Sequence, residues 1–94
     1  MNKYEMVLIL KPELEEADRQ AVLDRLKEAI TQDGNVGEID DWGSRKLAYE
    51  INYIKEGYYY VLNYEAAPTV VSEVERRARI MDQVLRYLTV RKEA

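Results

Sequence analysis

The chain has 94 residues, of which 47% are hydrophobic and 34% are charged, and its formal net charge at pH 7 is −4. This composition excludes collagen-like, low-complexity and fully disordered chains, and the length predicts one domain over residues 1–94. The sequence contains no Cys and no His, so disulfides, the usual zinc sites and imidazole catalysis are excluded, and we expect neither a metal site nor a cofactor.

The first half of the chain predicts a strand followed by a helix. Apolar residues alternate over residues 3–10, and because both faces of the second half of this strand are apolar, we expect it to lie centrally in a sheet. Pro12 ends the strand. An apolar stripe then predicts a helix from about Glu15 to about Gln32, with Gly34 as its left-handed stop.

The second half predicts two strands, a helix and a last strand. Residues 36–52 have the pattern of a long strand interrupted at Gly43, and residues 58–64 that of a strand rich in Tyr. Thr69 is the expected N-cap of a helix whose apolar positions are three and four residues apart. The last strand is predicted over residues 84–91.

Six elements in the order β-α-β-β-α-β predict an α+β fold of the ferredoxin-like, split βαβ type. Right-handed crossovers place both helices on one face of a four-stranded antiparallel sheet, in which the first and third strands are central. The other face, which we call the open face, then has no helix to cover it. We expect a protein partner to bind there.

The alternation of each strand predicts which side chains lie on the open face. In the last strand the pattern is ambiguous, and we assign Tyr87 and Thr89 to the core. The outward apolar side chains then form one group, the apolar patch, which consists of Val7, Ile9, Tyr59, Val61, Leu88 and Val90. A contiguous patch of this kind on a soluble protein indicates a protein-binding surface.

Two other functions are considered. The RNA-recognition motif has the same architecture and stacks bases on aromatic residues of its central strands, but its register would turn Tyr58 and Tyr60 outward, against the core assignment. The net charge also disfavours an independent RNA binder. Enzymatic activity is disfavoured because no Gly-rich phosphate loop is present, and the neighbouring carboxylates of Asp40 and Asp41 would point to opposite faces of a strand. We therefore expect no catalytic residue and no small-molecule substrate.

Three segments of the sequence resemble ribosomal protein six of the bacterial small subunit. They are Tyr4-Glu5-Met6, the segment GSRKLAYEI at residues 43–51, and Gly57-Tyr58-Tyr59. The likeness extends from Lys3 to about Lys92. It implies a ferredoxin-like fold and a structural role in a cytoplasmic ribosome. No apolar run is long enough to cross a membrane.

The resemblance also implies partners. Proteins of this family pair with ribosomal protein eighteen of the small subunit, and the pair binds the central domain of the small-subunit ribosomal RNA. A basic partner would supply the phosphate neutralisation that an acidic chain lacks. By family analogy, the RNA contacts are expected at Lys3, Tyr4, Arg86, Arg91 and Lys92.

Four charged residues flank Gly43 in the second strand, which is expected to be a sheet edge. These edge charges are Asp40, Asp41, Arg45 and Lys46. An exposed edge offers unpaired N–H and C=O groups to other chains, and charges make such pairing costly. We therefore expect the edge charges to prevent self-association.

Overall fold

The computed structural model describes residues 1–51 and 53–92. Its elements follow the predicted order: β1 (Asn2–Leu10), α1 (Glu16–Ile30), β2 (Gly34–Ile51), β3 (Ile54–Ala66), α2 (Pro68–Ile80) and β4 (Val84–Lys92). Asn52, the predicted end of the second strand, lies outside the described residues.

The strands form an antiparallel sheet in the order β2-β3-β1-β4. The central strands are therefore β1 and β3, and β2 lies at an edge, as predicted. Both helices pack buried side chains against the same core as the strands. The ferredoxin-like prediction is confirmed, and the open face is the side of the sheet opposite the helices.

The core lies between the sheet and the helices. The strand side chains that alternation assigned to it are all buried, namely Tyr4, Met6, Leu8, Leu10, Tyr60, Leu62, Tyr64 and Ala66. The helices contribute Val22, Leu23, Leu26, Ala29, Ile30, Val70, Val74 and Ala78. Burial of one large aliphatic side chain contributes about 1.5–3 kcal/mol. In β4, Tyr87 packs against the core and the Thr89 hydroxyl is buried, which confirms the assigned register.

Two helix boundaries differ from the sequence predictions. The second helix begins at Pro68 with Ala67 as its N-cap, so Thr69 lies inside the helix and its predicted capping role is wrong. Proline suits the first helical turn because its φ is already helical and its missing N–H would have no helical partner there. The first helix has Thr31 as its C-cap, and Gly34 begins β2 instead of stopping the helix.

Close packing between strands explains why a glycine occupies position 34. Gly34 pairs with Ala66, and a Cβ atom at position 34 would lie 2.4 Å from the carbonyl oxygen of Glu65. Its φ is not positive, so the left-handed conformation predicted for it is absent. Glycine is favoured both at left-handed helix stops and where two backbones approach closely. At position 34 the close pairing of β2 with β3 is the reason.

The long edge strand bends at Gly43, as predicted. The register of β2 with β3 shifts between Asp41 and Gly43, and Gly43 has a φ of 73°, in the left-handed region that favours glycine. The backbone N–H of Gly43 donates to Oδ1 of Asp41 at 2.8 Å. One of the edge charges therefore also holds the bulge.

Candidate partner and RNA interfaces

The residues of the apolar patch are neighbours on the open face. Val7 on β1 pairs with Val61 on β3 and with Leu88 on β4, so three strands contribute to one row of side chains. In the next row, Ile9 pairs with Tyr59. Directly opposed side chains in an antiparallel sheet are about 4.5–5.5 Å apart at Cβ. The register therefore brings the predicted patch together.

Exposure is uneven within the apolar patch. Leu88 is 60% exposed and Val90 is 49% exposed, whereas Val61 is only 4% exposed although it lies on the open face. Val7 and Ile9 are partly buried. The apolar surface available to a partner is therefore concentrated on β4, and Val61 adds little to it.

Three of the predicted RNA contacts meet at one end of the sheet. Lys3 pairs with Lys92 across β1 and β4. Arg91 is the preceding residue of β4, and its Nη2 donates to Oδ1 of Asn2 at 3.2 Å. The Nζ of Lys92 lies 3.3 Å from Oε2 of Glu5. This cationic end of the open face and its rim has the chemistry that phosphate groups require.

Tyr4 does not belong to this cationic end. It is 7% exposed, and its ring packs against that of Tyr64 with the centroids 5.5 Å apart. Because neighbouring strand residues point to opposite faces, Lys3 faces outward while the ring of Tyr4 faces the helices. The side chain of Tyr4 is therefore a core residue, and this burial disfavours the RNA contact predicted for it.

Arg86 is also separate from the cationic end. It pairs with Ile9 and is six residues before Lys92, which corresponds to roughly 20 Å along a strand. Its Nη1 donates to the hydroxyl of Tyr49, and its Cζ is 5.1 Å from the centroid of the Tyr49 ring. Tyr49 lies near the end of β2, on the opposite edge of the sheet, so the hairpin formed by β2 and β3 reaches across to β4. Sequence analysis missed this contact because no local pattern links residues so far apart.

The aromatic residues of β3 do not have the arrangement of an RNA-recognition motif. Tyr60 is 5% exposed, and its hydroxyl accepts a hydrogen bond from Nε of Arg19 at 3.0 Å. The Cζ of Arg19 also lies 3.9 Å from the centroid of the Tyr58 ring. Both rings are therefore on the helix side, where α1 holds them. Tyr59 is the member of this run that faces outward.

Two of the basic residues of α2, Arg76 and Arg77, form ion pairs with Glu73 of the same helix. Glu73 accepts hydrogen bonds from Nε of Arg76 at 2.7 Å and from Nε of Arg77 at 2.8 Å. Hydrogen bonds from these two arginines lower the pKa of Glu73 to about 2. Glu73 thus compensates part of the charge of these two arginines on the face of the molecule away from the sheet.

Residues 1–51 and 53–92 hold neither a metal-site arrangement nor a membrane-spanning helix. No group of three or more acidic side chains in this part of the chain is arranged to hold a metal ion. The helices found there are too short or too polar to span a membrane. The open face therefore presents two kinds of surface, the apolar patch and the cationic end beside it.

The known proteins that this chain resembles in sequence all belong to one family. The sequence model of the family "Ribosomal protein S6" matches residues 3–91. The small ribosomal subunit protein bS6 of Alkaliphilus oremlandii is 47% identical over 93 residues, covering 99% of each chain. The corresponding protein of Alkaliphilus metalliredigens is 43% identical over 91 residues, covering 97% of each chain.

The fold agrees with a solved structure of the same family. The 30S ribosomal protein S6 of Thermotoga maritima superposes with a TM-score of 0.89 at 29% identity, covering 97% of this chain and 87% of that one. These matches confirm the resemblance found in the sequence, and with it the expectation of a structural ribosomal protein without enzymatic activity. The chain belongs to the ribosomal protein S6 family.

Proposed function

We propose that this structural component of the small ribosomal subunit pairs with ribosomal protein eighteen through its open face, and that the pair binds the central domain of the small-subunit ribosomal RNA. Family membership supports the ribosomal role. The observation that carries the pairing is the apolar patch, in which Leu88 is 60% exposed beside Val7 and Val61.

The exposed part of the patch is large enough to matter energetically. Full burial of a Val or Leu side chain contributes about 1.5–3 kcal/mol. Leu88 is 60% exposed and Val90 is 49% exposed. About half of the free energy of full burial therefore remains to be gained at each residue when a partner covers it. Covering both would contribute roughly 1.5–3 kcal/mol, which is the size of an interface hot spot.

The position of the cationic end supports joint binding to RNA. Val90 pairs with Glu5 on β1, and the next row of the open face toward this end contains Lys3 and Lys92. A partner seated on the patch would therefore lie beside these cations. Because the chain alone has a net charge of −4, a basic partner is needed to lower the electrostatic cost of approaching a polyanion.

Calorimetric titration with the partner protein tests the pairing, with Leu88→Glu as the perturbation. An unpaired charge buried in an interface costs about 3–5 kcal/mol, so we expect affinity to fall at least about 100-fold. Ile80→Glu is the matched control, because Ile80 is 63% exposed and lies on α2, away from the open face. Equal affinities of the two variants would refute the open face as the partner surface.

Filter binding to the RNA fragment, with and without the partner and across ionic strengths, tests the RNA-binding step. We expect binding to require the partner, and Lys3→Ala to lower the salt slope by about one. Glu5 pairs with Lys92, so Lys92→Ala is expected to have a smaller effect. Tight binding at physiological salt without the partner would instead indicate an independent RNA-binding module.

A further inference from the structure

A cavity of about 280 Å³ opens at the cationic end. The residues of its wall that matter for its chemistry are Lys3, Asn35, Gly37, Asn63, Glu65 and Lys92. Asn35 pairs with Glu65, Glu65 with Lys3, and Lys3 with Lys92, so these four form one row across all four strands. This row lies on the open face, and the cavity therefore opens there too.

A bulge that contains a glycine forms part of the cavity wall. The register of β2 with β3 shifts between Val36 and Ile39, which places Gly37 beside Asn63. A Cβ atom at position 37 would lie 2.9 Å from the carbonyl oxygen of Asn63. The strands are thus packed so closely that a Cβ atom does not fit at this point unless the backbone shifts.

The polar groups around the cavity are not equally available. The side-chain amide of Asn63 already donates to the carbonyl of Glu38 at 3.1 Å and accepts from Nζ of Lys92 at 2.6 Å. For Asn35, Glu65 and Lys3, no side-chain hydrogen bond or ion pair is found among residues 1–51 and 53–92. A ligand can therefore use one amide, one carboxylate and one ammonium group without breaking existing bonds.

The volume and these groups fit one class of ligand. Pockets for drug-sized ligands span about 300–1,000 Å³, so this cavity suits a single ring-bearing unit. The peptide plane at Gly37 provides a flat wall, and the aliphatic stems of the two lysines provide apolar surface beside it. A carboxylate accepts from an exocyclic amine of a base, and ammonium groups bind phosphate.

We infer that this cavity binds one unstacked nucleobase of the RNA, whose edge is read by Asn35 and Glu65 while the adjoining phosphate contacts Lys3. The inference rests on the proposed RNA binding. Unstacked bases in single-stranded segments are the usual targets of sequence-specific RNA recognition. Glu65 selects bases with an exocyclic amine, which are adenine, cytosine and guanine, and disfavours uracil, whose carbonyl would face the carboxylate.

An apolar side chain of a protein partner is a poorer occupant. It would bury the Asn35 amide and the Glu65 carboxylate without hydrogen bonds, and each unpaired group would oppose binding. A nucleobase satisfies both groups. The two occupants can be distinguished experimentally, because free nucleotides can be added to the protein in the absence of both the partner and the RNA.

Titration of the protein with each of the four ribonucleoside 5′-monophosphates, followed by amide NMR shifts, tests the inference. We expect saturable shifts at Gly37 and Asn63, with uridine monophosphate binding about tenfold more weakly than cytidine monophosphate. Glu65→Gln should remove most of this difference, since a glutamine amide can also donate to the uracil carbonyl. Glu56→Gln, an exposed carboxylate on the same strand, should leave it unchanged.

The outcomes separate this inference from the proposed function. Nucleotides that give no shift at Gly37 and Asn63, or bind equally whatever the base, would overturn the nucleobase site even if the protein pair binds the RNA fragment. The partner alone could also cause shifts at these two amides. If added nucleotide does not reduce those shifts, the cavity belongs to the partner interface and the inference is overturned. A failure of the pair to bind RNA would instead refute the proposed function, since it is measured on the complex.

Discussion

The buried hydroxyl of Tyr64 leads to a prediction about stability at alkaline pH. Tyr64 is 3% exposed, and its hydroxyl has no hydrogen-bond partner within residues 1–51 and 53–92. Burial, with smaller contributions from Glu75 and Tyr4, raises the pKa of Tyr64 from 10.0 to about 12. The folded state therefore favours the neutral phenol. The stability that this preference contributes is complete below the unfolded pKa and is lost as the pH rises through the folded pKa.

The structure gives the size of the effect. For an unfolded pKa of about 10 and a folded pKa of about 12, linkage predicts a loss of about 1.4 kcal/mol between about pH 8 and about pH 11. Tyr64→Phe keeps the ring that packs 5.5 Å from that of Tyr4 and removes the hydroxyl. At about pH 8 we expect the variant to match the wild type or exceed its stability by up to about 1 kcal/mol, since an unpaired buried hydroxyl is costly.

Urea unfolding followed by circular dichroism at both pH values measures the difference between wild type and variant. The difference should shift by about 1.4 kcal/mol in favour of Tyr64→Phe at the higher pH. Tyr53→Phe is the control, because Tyr53 is 93% exposed and its removal should cause no such shift. A variant that loses more than about 1 kcal/mol at the lower pH would indicate a bonded hydroxyl. A difference that does not change with pH would refute the raised pKa.

Two further predictions concern charged residues. Replacing the edge charges other than Asp41 with Thr or Val should leave the fold intact and increase self-association, because β2 is an exposed edge. Analytical ultracentrifugation measures the self-association. Asp41 is kept because it accepts a hydrogen bond from the N–H of Gly43. A variant that stays monomeric at high concentration would contradict this role. Hydrogen bonds from Arg76 and Arg77 lower the pKa of Glu73 from 4.5 to about 2, so its contribution to stability should persist above the unfolded pKa and disappear as the pH falls through about 2. An NMR titration of Glu73 with a midpoint near 4.5 would contradict that network.

Local periodicity was sufficient to predict the fold and, in β1 and β3, the division of side chains between core and open face. The alternation from Tyr4 to Leu10 and the apolar stripe around Leu26 depend on the two-residue and 3.6-residue repeats of strand and helix, which are properties of neighbouring residues. The open face was predictable for the same reason, since the residue between two core positions must point away from the core. The ribosomal role was predicted from the family resemblance, because no single sequence pattern in the chain indicates it.

The tertiary structure decided which of these side chains can take part in an interface. The burial of Val61 depends on side chains that the other strands place around it, and the contact of Arg86 with Tyr49 joins two edges of the sheet. Gly34 and Gly37 are needed where backbones from distant parts of the sequence come within van der Waals distance. These properties depend on which strands pair and in which register. A sequence pattern specifies the face on which a residue lies, whereas the pairing of strands specifies its neighbours, because cross-strand contacts join residues that are far apart in the chain.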